Sequence, residues 1–279
     1  MKRTILILLV LQSLHCFSQV KYDYSVKRKI DSLVKVERDF YNDRKYDESI
    51  VICQKLIDFG FDESTYKGYS KIILSQHLKY FPDKDLSTLS ELIKNEIAFI
   101  DFLKNSDNYK NDYASISKNQ SMLFQSKYEL AEIKNSIKIY EEALLILNEA
   151  EKTANLIPMK WEREDQIGMI KISKARTFLR IYELSANHTI LLKGLPYSQE
   201  ANIYYSNLTT DQIMYFNSKE LLARYHLELS SFENFNYHKK SAEEIILDLD
   251  KTYNDSYYYH RIKDIDSLKI KMKELIKQN

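Results

Sequence analysis

Glycine and proline are scarce in this sequence, since 279 residues contain only 4 Gly and 3 Pro. Proteins on average contain about 7% Gly and about 5% Pro. Sheet proteins need many tight turns, and tight turns depend on these two residues. The scarcity therefore predicts an all-α protein whose long helices are joined by short polar connections. The chain is long enough to bury a sizeable core.

A pair of amphipathic helices is predicted near the N-terminus, over residues 30–58. The stretch "IDSLVKVERDFYND" places apolar residues at three- and four-residue steps from Ile30 to Phe40, which is typical of a helix with one buried face. A polar break follows at 42–45, and "YDESIVICQKLIDFG" predicts a second helix from Tyr46. Two helices joined by so short a connection are expected to form an antiparallel hairpin.

The same pair recurs twice along the chain. The clearer copy is "YELAEIKNSIKIYEEALLILNEAEKTANL", where Tyr140 matches Tyr46, Ala143 matches Ser49, Leu147 matches Cys53, and Ala150 matches Leu56. The looser copy is "LLARYHLELSSFENFNYHKKSAEEI", which places Phe232 and Ala242 in the corresponding positions. The repeated unit is therefore a helical hairpin.

These hairpins resemble tetratricopeptide (TPR) repeats, in which an aromatic residue follows the turn between two helices and small residues follow at three- and four-residue steps. The resemblance is clear over 30–58 and 124–154, looser over 218–246, and open in register within 158–206. It implies a right-handed superhelical array, an α-solenoid, whose small residues allow close helix packing. It also implies that the first helices of successive hairpins line a concave groove holding a peptide or another protein.

The repeat spacing predicts about five hairpins and a C-terminal capping helix. The intervals between Tyr46, Tyr140 and Phe232 are not multiples of the standard unit of about 34 residues. Each interval leaves room for one further hairpin of longer helices. We expect one continuous TPR-like domain over 19–279, ending in the Lys-rich helix that contains "KIKMKELIKQN".

Several local signals predict helix boundaries. Pro82 splits one predicted pair, Pro158 suits the first turn of a later helix, and a break is expected near Gly194 and Pro196, within a pair that ends near Ser206. Three predicted capping boxes are Thr88 with Glu91, Thr209 with Gln212, and Ser230 with Glu233.

The first 18 residues have the order of a secretory signal peptide. Lys2 and Arg3 precede an apolar run that is too short to span a membrane, and small residues follow, with cleavage expected after Ser18. The sequence thus predicts a soluble periplasmic or secreted protein with no later membrane span. The alternative is a lipoprotein anchored at Cys16, although His15 replaces the small residue expected before the acylated cysteine.

The sequence offers little sign of catalysis, and we expect a protein that is not an enzyme and needs no cofactor or metal. The 41 basic and 40 acidic residues balance, which gives no electrostatic case for nucleic acid. Gly-rich phosphate loops and the common zinc motifs are absent from the sequence. His226, Glu228 and His238 have spacing that lets them meet across a turn, and ordinary solvated or hydrogen-bonded histidines are expected there.

Other conspicuous residues are expected to serve packing. Cys53 matches the buried Leu147 and is predicted to lie in the core as a small hydrophobe. The single Trp161 is expected to pack near a helix start, and the run 257–260, "YYYH", to contact the last hairpin.

The TPR-like register places polar residues of three first helices in the expected groove. The candidate partner-binding residues are Arg38, Tyr41, Asn42, Tyr128, Glu132, Asn135, Arg224 and Glu228. Arg38 and Arg224 are expected at equivalent sites, and arginine suits bidentate contact with carboxylates.

Two classes of function remain open. The first is an exported, non-catalytic scaffold that binds a protein or peptide in its groove. The second is a sensory module like the ectodomains of membrane-bound bacterial regulators, here free-standing or truncated, since the sequence ends at Asn279 without a second span or an output domain. A helper in envelope assembly or glycan handling is a weaker third possibility.

Overall fold

The structure is a computed structural model, and it describes residues 24–208, 212–232, 234–253 and 259–278. The predicted signal peptide, Cys16 and Ser18 lie outside the described residues, as do Thr209, Glu233 and the first half of the "YYYH" run. The described residues form eleven α-helices and no β-strand, which confirms the all-α prediction. In chain order these are α1 Tyr24–Asn42, α2 Tyr46–Asp58, α3 Asp62–Asp83, α4 Leu86–Asn105, α5 Tyr113–Lys134, α6 Ile137–Ala154, α7 Lys160–Ser185, α8 His188–Ser206, α9 Gln212–Leu229, α10 Phe235–Tyr253 and α11 Tyr259–Gln278.

The helix order agrees with five successive hairpins followed by a last helix. The first helices of the hairpins are α1, α3, α5, α7 and α9, and they begin at residues 24, 62, 113, 160 and 212. The spacing exceeds the standard TPR unit of about 34 residues and is irregular. None of the helices within the described residues is long and apolar enough to cross a membrane.

The chain groups into two compact units, Met1–Asn95 and Glu96–Asn279, and the boundary falls within α4. The single domain expected over 19–279 stays a prediction.

In the first unit, small polar residues occupy the place where α1, α2 and α3 meet. Ser49 of α2 donates to Oε1 of Glu37 at 3.1 Å, and its Oγ lies 3.3 Å from Oγ of Ser75 in α3. All three side chains are buried. A buried carboxylate needs such donors because losing water is costly. Ser49 therefore combines a small volume, which lets the helices approach, with a hydroxyl that satisfies Glu37.

In the second unit, the matched residues of the 124–154 repeat form the core between α5 and α6. Tyr140, Ala143, Leu147 and Ala150 are each fully buried. They follow one another at three- and four-residue steps, so they share one face of α6. That face packs on Phe124 of α5 and other apolar residues. Their counterparts Ser49, Cys53 and Leu56 in α2 are buried in the same way.

The predicted helix break near Gly194 and Pro196 is wrong. Helix α8 runs without interruption from His188 to Ser206, and the chain breaks earlier, at Ala186, which has a positive φ of 52°. The side chain of Asn187 then caps α8 by accepting from the backbone N–H of Thr189 at 3.1 Å. Glycine is needed at 194 for close packing against α7 and α9, rather than for a turn.

The equivalence of Phe232 with Tyr46 and Tyr140 is also wrong. Phe232 lies in the turn before α10, is 48% exposed, and stacks on His188 with ring centroids 5.4 Å apart. Phe232 would match Tyr46 and Tyr140 only if the turn before the second helix had the same length in all three hairpins. In the last hairpin the second helix, α10, begins only at Phe235, so Phe232 still lies in the turn. Ala242 is fully buried, as its predicted place requires.

The ends of α4, α7 and α10 lie a few residues from the positions that the sequence predicts. Asp85 caps α4 by accepting from the backbone N–H of Thr88 at 2.7 Å, while Glu91 pairs with Lys94 instead. Pro158 precedes α7, which begins at Lys160. Ser230 follows the end of α9 and donates to the carbonyl of Leu227, so it does not cap α10. Aspartate is a better N-cap than threonine, which explains the shift at α4.

Candidate functional site

A cavity of about 300 Å³ lies in the second unit on three successive first helices, α5, α7 and α9. The nine lining residues are Tyr128, Arg176, Leu179, Arg180, Glu183, Asn217, Glu220, Leu221 and Arg224. Three first helices of the second unit therefore contribute to one surface. That this surface binds a partner stays a prediction.

Helical periodicity explains how the lining side chains come together. In α7, Arg176, Leu179, Arg180 and Glu183 lie at positions i, i+3, i+4 and i+7, so they project from one face. In α9, the lining residues from Asn217 to Arg224 follow the same steps. Leucines from both helices are largely buried beneath the charged side chains. The cavity therefore has an apolar floor and charged walls.

Arg180 is held in place by acidic neighbours. Its Nε and Nη2 atoms donate to the two carboxylate oxygens of Glu132 at 2.9 and 3.2 Å, and its Nη1 donates to Glu183 at 2.7 Å. Glu132 also accepts from the hydroxyl of Tyr140. The pKa of Arg180 is raised, most of all by its hydrogen bond to Glu183 and also by its contacts with Tyr140 and Glu132. The guanidinium is thus fixed and largely neutralised by the protein itself.

Arg224 is likewise paired within its own helix. Its Nε and Nη2 atoms lie 2.7 and 2.6 Å from Oε1 of Glu220, one turn earlier in α9. This pair is partly exposed, so it contributes little to stability. A ligand carboxylate can compete for Arg224 more easily than for the doubly held Arg180.

Arg176 is the one cavity arginine that forms no ion pair within the described residues. Its side chain is exposed on the cavity face of α7. Burial raises the pKa of Tyr128, and the charge of Glu132 raises it further. Arg176 lies close enough to this hydroxyl for its positive charge to oppose the rise, as does Arg180. The guanidinium of Arg176 is therefore the one in the cavity that no carboxylate of the described residues pairs with.

The predicted site residues of the second unit have different surroundings. Tyr128 and Arg224 line the cavity, and Glu132 stands beside it through Arg180. Asn135 ends α5 in the left-handed region, with φ 47°, where its backbone N–H caps the helix. Glu228 accepts from the hydroxyl of Tyr182 at 3.1 Å and pairs with Lys271 of α11.

The three candidates of the first unit do not belong to this cavity. Arg38 is exposed and forms no ion pair among the described residues, and Asn42 is the exposed last residue of α1. Tyr41 packs edge-on against Tyr46 at 5.9 Å between ring centroids, and Nζ of Lys71 lies 4.9 Å from its ring. Partner binding by any of the eight candidates stays a prediction.

The α7 residues of the cavity are absent from the residues that the sequence predicts. Arg176, Arg180 and Glu183 fall in 158–206, where the sequence leaves the repeat register open. The signal available is the four-residue step between two arginines, which places both on one helix face.

Other conspicuous residues have clear surroundings. Cys53 is completely buried, and burial together with the charge of Glu37 raises the pKa of its thiol to about 12, so it is a core residue as predicted. Trp161 is 66% exposed, so its predicted packing role is wrong. His226 and His238 do meet across the turn, with their Nδ1 atoms 2.8 Å apart, while Glu228 pairs elsewhere. No metal-binding group of three or more residues occurs in the part of the chain that the structure describes.

Comparisons with known proteins leave the family open. No protein-family model matches the chain, and no curated protein matches it either. Among solved structures, the chain is similar to a de novo designed helical repeat protein, DHR64, with 13% identity and a TM-score of 0.37 over 78% of this chain and 97% of that one. It is also similar to the DHF58 filament, with 13% identity and a TM-score of 0.30 over 90% of this chain and 96% of that one. The description of the fold therefore rests on the chain's own helices.

Proposed function

We propose that this protein is a non-catalytic scaffold of TPR-like helical repeats that binds a segment of a protein partner on α5, α7 and α9. One observation carries the proposal. The cavity on these three helices contains Arg176, whose guanidinium forms no ion pair within the described residues.

The charges of the cavity favour an acidic segment. Glu132 and Glu183 both pair with Arg180, and Glu220 pairs with Arg224, so Arg176 is the cavity arginine whose guanidinium can pair with a carboxylate of the partner without breaking an ion pair among the described residues. A guanidinium binds a carboxylate through two parallel hydrogen bonds, which gives both strength and orientation. An aspartate, a glutamate or a C-terminal carboxylate of the partner therefore suits this position.

The shape of the cavity favours a few side chains of a peptide. Its volume of about 300 Å³ lies at the lower end of the range for small-molecule pockets. Leu179 and Leu221 supply an apolar floor, and Tyr128 adds an aromatic wall. Burying the aliphatic part of a partner side chain there supplies affinity, while Arg176 supplies selectivity.

Export belongs to the same proposal and is supported by the sequence of residues 1–18 alone. We expect the mature protein to start at Gln19 in the periplasm or outside the cell, with lipid anchoring at Cys16 as the alternative. Cell fractionation with an intact mass of the mature chain separates these outcomes. An uncleaved cytosolic chain would contradict export.

A random peptide library displayed on phage tests the binding proposal. Wild-type protein, an Arg176→Glu variant and a Lys118→Glu variant are panned in parallel. Lys118 is an exposed residue of α5 outside the cavity, so its reversal makes the same change in net charge. We expect wild type and Lys118→Glu to enrich the same peptides with a common acidic position, and Arg176→Glu to lose them. Equal enrichment by all three proteins would show that the cavity is not the binding site.

A further inference from the structure

A separate cavity, of about 410 Å³, lies in the first unit and is lined by α2, α3 and the start of α4. Its volume falls within the range of small-molecule sites. Eight of its ten lining residues are polar, and the other two are Ile50 and Ile72. The lining therefore suits a ligand that forms many hydrogen bonds and carries little apolar surface.

Two side-chain amides meet in the wall of this cavity. Nδ2 of Asn95 in α4 donates to Oε1 of Gln76 in α3 at 3.0 Å. Within the described residues, Nε2 of Gln76 and Oδ1 of Asn95 have no hydrogen-bond partner. Gln76 is only 7% exposed, but its Nε2 atom is not sealed from solvent, so this amide faces the open space of the cavity. The amide pair thus offers one open donor and one open acceptor to a ligand.

A hydroxyl group matches this amide pair because one oxygen atom both accepts and donates hydrogen bonds. The ligand oxygen can accept from Nε2 of Gln76 while the hydroxyl hydrogen is donated to Oδ1 of Asn95. A nearly buried amide gains from such a partner because an unsatisfied donor in that position is unfavourable.

The charged side chains of the cavity are already paired. Lys79 of α3 forms an ion pair with Asp47 of α2, and Glu91 of α4 pairs with Lys94. A charged ligand has to compete with these pairs, whereas neutral hydroxyls can bond to their oxygen and nitrogen atoms without breaking them. The charges of the cavity therefore favour a neutral ligand.

We propose that this cavity binds a neutral sugar residue and that Gln76 and Asn95 hold one of its hydroxyls. Ile50 and Ile72 contact its C–H groups, and the remaining polar residues bond to its other hydroxyls. This site lies in the other unit from the cavity that contains Arg176, and it does not depend on the proposed peptide binding.

Saturation-transfer NMR of the full chain with a panel of neutral sugars tests the proposal. The panel contains aldohexoses, aldopentoses and their α- and β-methyl glycosides. We expect saturation transfer to at least one sugar. A methyl glycoside that binds as well as its free sugar identifies the terminal residue of a glycan as the ligand, whereas binding of the free sugar alone identifies a soluble monosaccharide. Absence of transfer to every member of the panel would overturn the proposal.

Blocking the cavity locates the bound sugar. Ser87 lines the cavity and is exposed, so Ser87→Trp fills the space with an indole ring without removing a core side chain. Ser90→Trp is the matched control, since Ser90 is an exposed residue of the same helix outside the lining. We expect Ser87→Trp to lose the signal and Ser90→Trp to keep it. Equal signals from the two variants would overturn the proposal.

Removing one amide tests the proposed contact itself. Gln76→Met keeps the length of the side chain but loses both hydrogen-bonding atoms, so sugar affinity should fall about 10-fold. Gln125→Met makes the same change at an exposed position of α5 and should bind like wild type. A folded Gln76→Met protein with unchanged affinity would overturn the assignment. Arg176→Glu should leave sugar binding unchanged, which separates this test from that of peptide binding.

Discussion

The hydroxyl of Tyr225 occupies the space beside Gly194 that a β-carbon would fill. A β-carbon built on Gly194 lies only 1.9 Å from Tyr225 Oη and 2.7 Å from Cβ of Phe178. Tyr225 cannot easily move aside, because it is fully buried and its hydroxyl donates to the carbonyl of Ala175 at 2.7 Å. Gly194 therefore lets α7, α8 and α9 meet at one point.

Replacing Gly194 by alanine should destabilise the second unit. Overpacking costs about 1 to 3 kcal/mol, against a gain of about 1 kcal/mol from the better helix propensity of alanine. Urea unfolding followed by circular dichroism should show a lower midpoint for Gly194→Ala. Gly168→Ala is the matched control, since the two atoms nearest to its β-carbon, at 2.5 and 2.7 Å, belong to the ring of Tyr204, which is partly exposed and can move more easily than Tyr225. A Gly194→Ala midpoint at or above that of the control contradicts the packing described here.

Lys174 of α7 forms a buried ion pair with Glu151 of α6, and replacing one partner should affect stability more than replacing the other. The side chain of Lys174 is 3% exposed and donates to Glu151 at 2.5 Å, and Lys171 also pairs with Glu151 at 3.0 Å. Burial opposes ionisation of Glu151, but the two lysines outweigh it and lower the pKa of the carboxyl. The stability from this carboxylate is therefore present above its unfolded pKa and is lost in acid as it becomes protonated.

Removing the carboxylate should cost more than removing the ammonium. Glu151→Ala leaves Lys174 buried without its acceptor and should lower the free energy of unfolding by about 3 kcal/mol, whereas Lys174→Met should change it by less than about 1 kcal/mol. Glu149→Ala, which removes an exposed pair with Lys152 in the same helix, should cost under about 0.5 kcal/mol. Equal losses for Glu151→Ala and Glu149→Ala in urea unfolding would refute this ranking.

The thiol of Cys53 should be inert in the folded chain. It is fully buried, and its pKa rises from 9.0 to about 12, first through burial and then through the charge of Glu37. In a Cys16→Ser background, a thiol reagent at pH 8 should react with Cys53 only in denaturant. Rapid reaction without denaturant would mean that α2 is not packed as described.

Glu132 should restrain peptide binding rather than mediate it. Glu132→Gln removes one negative charge beside the cavity and leaves Arg180 paired with Glu183 alone. We expect stability to fall by about 1 to 2 kcal/mol, while affinity for an acidic peptide enriched on wild type rises by about threefold. Weaker binding by a Glu132→Gln protein that is still folded would instead place Glu132 among the partner-binding residues.

Much of the fold could be predicted from the sequence because burial repeats along it. The scarcity of Gly and Pro indicates long helices, and the matched small residues Ser49 and Ala143 both lie buried where helices cross. Such features depend on residues three and four apart, which are visible in the sequence.

The errors arise where one residue type serves two purposes. Gly194 and Pro196 are typical of a break, yet glycine also permits close helix contact, which depends on Tyr225 far away in the sequence. The α7 side of the cavity is missed for another reason, because the repeat register within 158–206 stays open in the sequence. Arg176 could not be ranked above other surface arginines from the sequence, because which arginines form ion pairs among the described residues is decided by the packing of α5, α7 and α9.

A photo-crosslink between the protein and an enriched acidic peptide tests the central claim most directly. A photoreactive benzoylphenylalanine replaces Asn217, which lines the cavity, or Lys193, an exposed residue of the second helix α8. If the peptide binds on α5, α7 and α9, its mass should appear on the protein labelled at 217 and be nearly absent from the protein labelled at 193. Crosslinking at 193 but not at 217 would show that this cavity does not hold the partner.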